Sequence, residues 1–405
     1  MFSLMFKSAF KSLFIRKSRT FMVVLMIALS LWGLMLMQGI YDGMIKQMID
    51  NTTRSESAHI SIYAKDFRAT KDIDKFIKDE KDIEKFLKEQ TNIKSYTKRV
   101  NASGLVATAR YSKNAFIYGV NTNDEIKQSR LDEYISKGSF DFGKKSKGII
   151  VGYKLAKKLK VDIGKKIIIS AQDINNEVSS ISLKVTGIIK TNNMIFDENA
   201  VLIDIEKAKE FLSLEVSNHI AVTLKDDMGL KSLKTNINNT FNNVEAFSWG
   251  ELYPALIQSK QMMVTFGYIS YMIVFLTASV GIFGVVLVSV LERLREFGIL
   301  RAVGTKFSYI AMMIFFESFI IGTAGFILGC ILGGGTLYYF KIEGLDLSSF
   351  SDALSEFGMD AVTYAVVDPS YFITALLAVF SAVVLSILIP LRILKRSKPI
   401  EVING

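Results

Sequence analysis

The side chains that most often do chemistry are few and scattered in this sequence. Its two histidines, His59 and His219, and its single cysteine, Cys330, lack the spacing that metal ligands need, and both histidines read as ordinary strand residues. Cys330 lies inside an apolar segment and has no partner for an intramolecular disulfide, so no redox compartment is required or excluded. No Gly-x-Ser-x-Gly elbow, paired-carboxylate cleft or Cys/His nucleophile stands out. A Gly-x-x-x-x-Gly-Lys-[Ser/Thr] phosphate loop is missing too. Residues 298–306 resemble one superficially, but Thr305 separates Gly304 from Lys306 and no strand precedes them. The residues therefore predict no metal, no cofactor held by this chain and no enzyme.

The unusual polar stretch is residues 292–308, ERLREFGILRAVGTKFS. Glu292, Arg293, Arg295, Glu296 and Arg301 alternate with Leu294, Phe297, Ile299, Leu300 and Val303, the pattern of an amphipathic element at an interface. Gly298 and Gly304 permit sharp backbone changes. Such a segment either docks a soluble partner or anchors a helix end by its positive charge.

What must position it is membrane. Of 405 residues, 50% are hydrophobic and 22% charged, too apolar for an ordinary soluble chain and too polar for a wholly embedded one. Residues 21–40, 263–291, 309–340 and 371–391 are each apolar for long enough to cross about 30 Å of hydrocarbon. The first run is too long for a signal-peptide core and ends in the poor cleavage site Met37–Gln38–Gly39, so it reads as an uncleaved anchor. Basic residues precede span one, including Lys11, Arg16, Lys17 and Arg19. Others lie between spans two and three (Arg293, Arg295, Arg301, Lys306) and after span four (Arg392, Lys395, Arg396, Lys398). The loop between spans three and four carries Glu343, Asp346, Asp352, Glu356, Asp360 and Asp368. The positive-inside rule then puts both termini in the cytoplasm and residues 41–262 outside. The net charge of +10 is thereby explained at the membrane, and bases paired with acids in the central domain leave no groove for nucleic acid. Asp368–Pro369 reads as a cap and first helical position, Pro390 as the close of span four, and no proline as falling inside a core helix. Residues 1–14, with Phe2, Met5, Phe6 and Phe10 against Lys7 and Lys11, read as an interfacial amphipathic helix within a cytoplasmic segment 1–19.

The resulting organisation is span one with a stalk (20–54), an outer domain (55–250), stalk and span two (251–291), and the polar segment (292–308). Span three (309–340), an outer loop (341–368), span four (369–391) and a tail (392–405) follow. The outer domain reads as mixed α+β. Strands are expected at 58–64, 115–120, 148–151 and 219–224, a hairpin at 165–171 and 180–190, and helices at 71–90, 152–159, 205–214 and 229–241. Gly325, Gly329 and Gly333 form a small-x-x-x-small face suited to close helix packing. Glu317, the one ionisable residue away from the span ends, is expected to pair with a base or hydroxyl.

The stretch LERLREFGILRAVGTKFSYIAMMIFFESFIIGTAGFILG resembles the signature of FtsX-like permeases of the MacB and lipoprotein-releasing superfamily. In that superfamily an R-x-x-E-x-G-x-L-R-A-x-G element is the coupling helix that sits in a groove of a separate or fused ATPase. The resemblance falls on Arg293, Glu296, Gly298, Leu300, Arg301, Ala302 and Gly304, and with the adjacent Arg295 these are the implied ATPase-coupling residues. The tail resembles the family's closing pattern at Pro390, Pro399, Glu401 and Val402, with Leu394 where alanine is usual. SAHISIYA, IIVGYKLAKKLKVDIGKKI, LKVTGIIKTNNMIFDENAVLIDIEKAKEFL and SWGELYPALIQSKQM are similar to the family's outer domain and its lead into span two, so the resemblance runs nearly end to end.

Length near 400, no ATPase segment within it and the Ser-x-His-Ile-x-Ile motif make it most similar to lipoprotein-releasing (LolC/LolE-type) permeases. That resemblance implies an inner-membrane subunit working with a LolD-like ABC ATPase, which binds the ATP and Mg, and with a second permease subunit, identical or different. It also implies lipoprotein cargo drawn from the outer leaflet of the bilayer and a periplasmic carrier to receive it. The hairpin at 170–184 is short and proline-free, unlike the family's carrier-recruiting hook, which fits the other subunit type or a homodimer. A MacB-like exporter and a non-transporting regulator of cell-wall hydrolases are the alternatives. In the release reading, the ATPase pushes 292–308 and spans one and two tilt together with helical stalks of about 15–20 Å. The acyl chains then lie between span one of one subunit and span two of the other. Their expected lining is Met26, Leu29, Trp32, Leu36, Met37, Met263, Phe266, Ile269, Ile273 and Leu276.

Overall fold

The computed structural model describes residues 17–226, 229–356 and 359–396. The N-terminal amphipathic stretch 1–14 and the tail positions Pro399, Glu401 and Val402 lie outside the described residues. The chain divides into two units, one of Met1–Met44, Ser259–Asp346 and Val362–Gly405, the other of Ile45–Gln258 and Leu347–Ala361.

The first unit is built on four helices long and apolar enough to cross a membrane among the described residues. They run over Lys17–Thr52, Pro254–Glu292, Phe307–Ile342 and Pro369–Arg396, the first two reaching well past the lengths their apolar runs require. Asp368 caps the last by accepting the Ser370 amide at 2.7 Å. Pro390 corrects the sequence reading: it does not end span four but lies buried inside its helix, which continues to Arg396. A proline removes one ladder hydrogen bond, a loss that transmembrane helices tolerate where neighbouring groups take up the freed carbonyl.

The glycine face of span three meets span one. A Cβ on Gly325 would stand 2.8 Å from Ile27, one on Gly329 2.9 Å from the Leu31 Cβ, and one on Gly333 2.9 Å from the Met35 sulfur. Ile27, Leu31 and Met35 recur every four residues, so two four-residue ridges interlock. Gly329→Val should therefore cost about 1–3 kcal/mol by overpacking against Leu31 and the Ala28 carbonyl. A lowered melting temperature of the detergent-purified protein is the expected reading.

In the second unit a ten-stranded sheet forms among the described residues. Its strands are β1 (Ile60–Ala64), β2 (Ile93–Ala107), β3 (Ser112–Val120), β4 (Ile135–Gly138), β5 (Gly148–Gly152), β6 (Lys166–Gln172), β7 (Val178–Ile189), β8 (Ala200–Asp204), β9 (His219–Leu224) and β10 (Val244–Ser248). The order is β10-β1-β9-β2-β3-β8-β5-β7-β4, with β6 bonded to β2 and β7. β6 and β7 form the expected antiparallel hairpin. β2 is the spine: its first half pairs with β9 and its second with β3 and β6. Helices Glu80–Glu89 and Leu230–Thr240 bury Ile83, Leu87, Leu233 and Ile237 in the core around β1, β9 and β10. Tyr153–Leu159 and Ile205–Leu212 pack into a second core around β3, β5 and β7.

The expected helix at 71–90 survives only as Glu80–Glu89. Lys71 adopts a left-handed φ of 56°, which ends the short turn Phe67–Thr70. Ile77 still packs into the core beside Ile83 and Leu87, outside any helix, with its amide bonding the Ser217 carbonyl at 2.9 Å. Residues Leu347–Ala361 join this unit through Asp360, which accepts from Gln47, Asn51 and Asn192 at 3.2, 2.9 and 2.6 Å.

Candidate functional site

The polar segment between spans two and three folds as a short helix, Leu294–Ala302, set off from the helices on either side of it. It is held on one face. Phe297 is buried beneath the Arg293 guanidinium, 5.1 Å from its ring centre. Arg293 also reaches Glu296 at 3.1 Å and Glu317 at 3.9 Å, and the Ser289 hydroxyl donates to Glu317 at 3.1 Å. Glu317 thus has both the base and the hydroxyl its sequence position called for. Arg301 donates to the Leu394 carbonyl of span four at 3.3 Å.

The other face is open. Arg295, Glu296, Leu300, Ala302 and Gly304 are exposed, with Ile299 beside them and Val303 82% exposed. Of the two glycines, only Gly304 makes a sharp backbone change, with φ at +98°. There the chain turns back, the Gly304 and Thr305 amides bonding the carbonyls of Arg301 and Leu300. Gly298 instead sits buried within the helix, which corrects its expected role as a bend. The arrangement is a pinned lever: charged and apolar side chains face outward on a helix fastened to spans two, three and four.

The ten residues expected around an acyl chain separate into groups. Met37, Met263 and Phe266 meet around one groove with Leu34, Tyr41 and Ser270. Leu29, Ile269, Ile273 and Leu276 are exposed on the faces of spans one and two. Met26 packs on Gly281, where an added Cβ would come within 2.1 Å of its methyl group. Trp32 turns to span three, its indole N–H donating to Thr336 at 3.2 Å. Leu36 packs against the helical core. Within one chain Met26, Trp32 and Leu36 are thus engaged by intramolecular packing.

A buried polar constellation in the extracytoplasmic domain was not anticipated. Arg99 of β2 is 2% exposed and bonds both carboxylate oxygens of the fully buried Glu125. Its Nη1 also donates to the Glu56 carbonyl at 2.5 Å. The Ser129 hydroxyl is a further donor to Glu125 at 2.7 Å. Nearby, His219 is buried, stacked 4.4 Å from Tyr63, and its pKa is driven well down by burial and by Arg99. It is a neutral core residue. Among the described residues no cluster of three metal-ligating side chains occurs.

Elsewhere in the domain, burial alone would raise the Glu80 pKa, but the Ser217 hydroxyl and amide and Lys98 hold it below its ordinary 4.5. A depressed carboxylate stabilises the fold above its unfolded value and loses that contribution as pH falls through the folded one. Below about pH 4.5 the wild-type melting temperature should therefore fall more steeply than that of Glu80→Gln. Thermal scans over an acid series check it.

Residues 20–240 match the family model of the MacB-like periplasmic core domain, and residues 268–399 that of the FtsX-like permease C-terminal region. The chain is 22% identical over 242 residues to the lipoprotein-releasing system transmembrane protein LolE of Haemophilus influenzae, covering 58% of each chain. It is 27% identical over 164 residues to the macrolide export ATP-binding/permease protein MacB of Campylobacter jejuni, covering 40% of this chain and 24% of that one. The periplasmic region of MacB from Actinobacillus actinomycetemcomitans aligns at 15% identity with a TM-score of 0.34, over 52% of this chain and 94% of the other. The sequence thus spans little more than half the length of the LolE relative and less of the MacB protein.

Proposed function

This chain belongs to the family of ABC transporter permeases with a MacB-like periplasmic core domain and an FtsX-like C-terminal region, and we propose that it extracts lipoproteins from the bacterial inner membrane. In this reading both termini are cytoplasmic, and ATP is hydrolysed by a separate LolD-like subunit. A second permease subunit completes the membrane assembly, and a periplasmic carrier receives the cargo.

The observation that carries the reading is the pinned helix Leu294–Ala302. Its Arg295, Glu296, Leu300 and Val303 are offered outward, while Phe297, Arg293 and Arg301 fasten it to the spans. A push on such a helix passes into the spans instead of being absorbed by a loose loop. The scarcity of ionisable groups within the spans supports mechanical transmission over a polar path through the bilayer. Likeness to a LolE protein and the exposed apolar residues of spans one and two favour a lipid-modified cargo.

Reconstitution tests it. Proteoliposomes holding this chain, its ATPase and a triacylated lipoprotein should release the lipoprotein to a soluble carrier only with ATP. ATP-dependent turnover without release would reject the cargo. Likeness to a MacB protein favours a second reading, export of periplasmic small molecules. Hypersensitivity to macrolides on deletion, with lipoprotein sorting intact, would select it.

A further inference from the structure

A cavity of about 210 Å³ opens in the extracytoplasmic domain, lined by Glu56, Tyr118, Tyr253, Asn101, Arg68 and Lys71 among others. That is below the roughly 300–1,000 Å³ of clefts for drug-sized ligands, and suits a small solute or a head group. Glu56 lies in the turn Thr53–Ser57 that follows the helix of span one, and Tyr253 immediately precedes the helix of span two. The cavity therefore joins the two chain segments that lead into those spans.

Its polar groups are unevenly satisfied. Glu56 Oε1 accepts the Tyr118 hydroxyl at 3.2 Å. Glu56 Oε2 is buried with no partner, and so is Asn101 Oδ1. The nearby guanidinium of Arg99 does not answer the Glu56 carboxylate, because it is bound to Glu125 and to the Glu56 backbone carbonyl. A buried carboxylate oxygen without a donor costs more than most folds retain, so the cavity calls for a donor from outside the chain. Two orphan acceptors beside aromatic walls match an ammonium group, which has three N–H donors and is attracted to ring faces.

The exposed part of the lining has the opposite sign. Arg68 and Lys71 are exposed there, the first over the Phe247 ring and the second over the Phe116 ring, at 5.2 Å each. A lone cation would be repelled by them, and a lone anion by Glu56.

We propose that this cavity binds a small zwitterion, its primary ammonium on Glu56 and Asn101 and its anionic oxygens facing Arg68 and Lys71. A phosphoethanolamine carries that chemistry, whether free in solution or as a lipid head group. The site stands independently of what the chain transports.

Calorimetric titration of the full-length protein in phosphatidylcholine nanodiscs with phosphoethanolamine tests it. Saturable one-site binding is expected. Phosphocholine, which has no N–H, should bind the same wild-type protein at least tenfold more weakly, and Glu56→Gln should weaken phosphoethanolamine binding at least tenfold. Lys71→Ala, at an exposed position where folding is not at stake, should also weaken phosphoethanolamine. It should leave ethanolamine, which lacks the phosphate, no weaker than on the wild type. If phosphatidylethanolamine nanodiscs abolish the titration, the natural source is the lipid head group; if they leave it unchanged, the source is a soluble zwitterion. Absence of saturable phosphoethanolamine binding would overturn the site, as would equal binding of phosphocholine or an unaffected Glu56→Gln, and leave the cavity to water.

Discussion

Glu125→Ala is expected to destabilise the extracytoplasmic domain by about 3–5 kcal/mol, because it strands a guanidinium that is 2% exposed. Arg99→Ala should cost a similar amount by stranding the carboxylate. The pair itself need not be a net stabiliser, since taking two charges out of water offsets most of their attraction. Arg99→Met with Glu125→Leu should accordingly recover much of the loss. Trp249, in a Trp32→Phe background, gives a single-tryptophan signal for denaturant unfolding of this domain. Single variants within about 1 kcal/mol of wild type would mean that water reaches the pair.

The second large effect is functional. Glu296→Arg and Gly304→Trp should each reduce ATP-coupled transport at least tenfold while membrane insertion and abundance stay normal. The Glu296 side chain is 66% exposed, and its link to Arg293 is an i,i+3 surface pair of the kind worth about 0–1 kcal/mol. Loss of that pair cannot unfold the protein, so a transport defect must arise at the outward face. At Gly304 the left-handed φ of +98° strains any L side chain by about 1–2 kcal/mol, and tryptophan also adds bulk beside Val303. Transport at wild-type rates in both variants would remove the helix from the coupling path. Unchanged ATP hydrolysis with lost transport would place the defect in transmission.

How much of this was legible in the sequence follows the range of the interactions. The four spans were, because each long apolar run selects its environment without help from the rest of the chain. The glycine face of span three was legible as a packing surface, though not its partners Ile27, Leu31 and Met35, which lie some three hundred residues earlier. Pro390 misled because the rule that proline ends helices is written for water.

In the outer domain, the β6–β7 hairpin shows its alternation and β9 is a short apolar run, and both were read correctly. β2 was not. IKSYTKRVNASGLVA is polar along much of its length, and it is a strand because β3, β6 and β9 bond to it. The short strands β4, β8 and β10 are set the same way, by neighbours. The Glu56–Arg99–Glu125 constellation spans separations of 43 and 26 residues with no motif. The available signal was a charged residue followed by a strand former at Arg99–Val100, too weak by itself to point to a site.

The measurement that tests the central claim most directly is depletion of this chain in its host, followed by membrane fractionation and tracking of mature lipoproteins. Release by this permease predicts their accumulation in the inner membrane, restored by the wild-type chain and not by Glu296→Arg. Unchanged lipoprotein distribution, in cells lacking any functional paralogue, would contradict it.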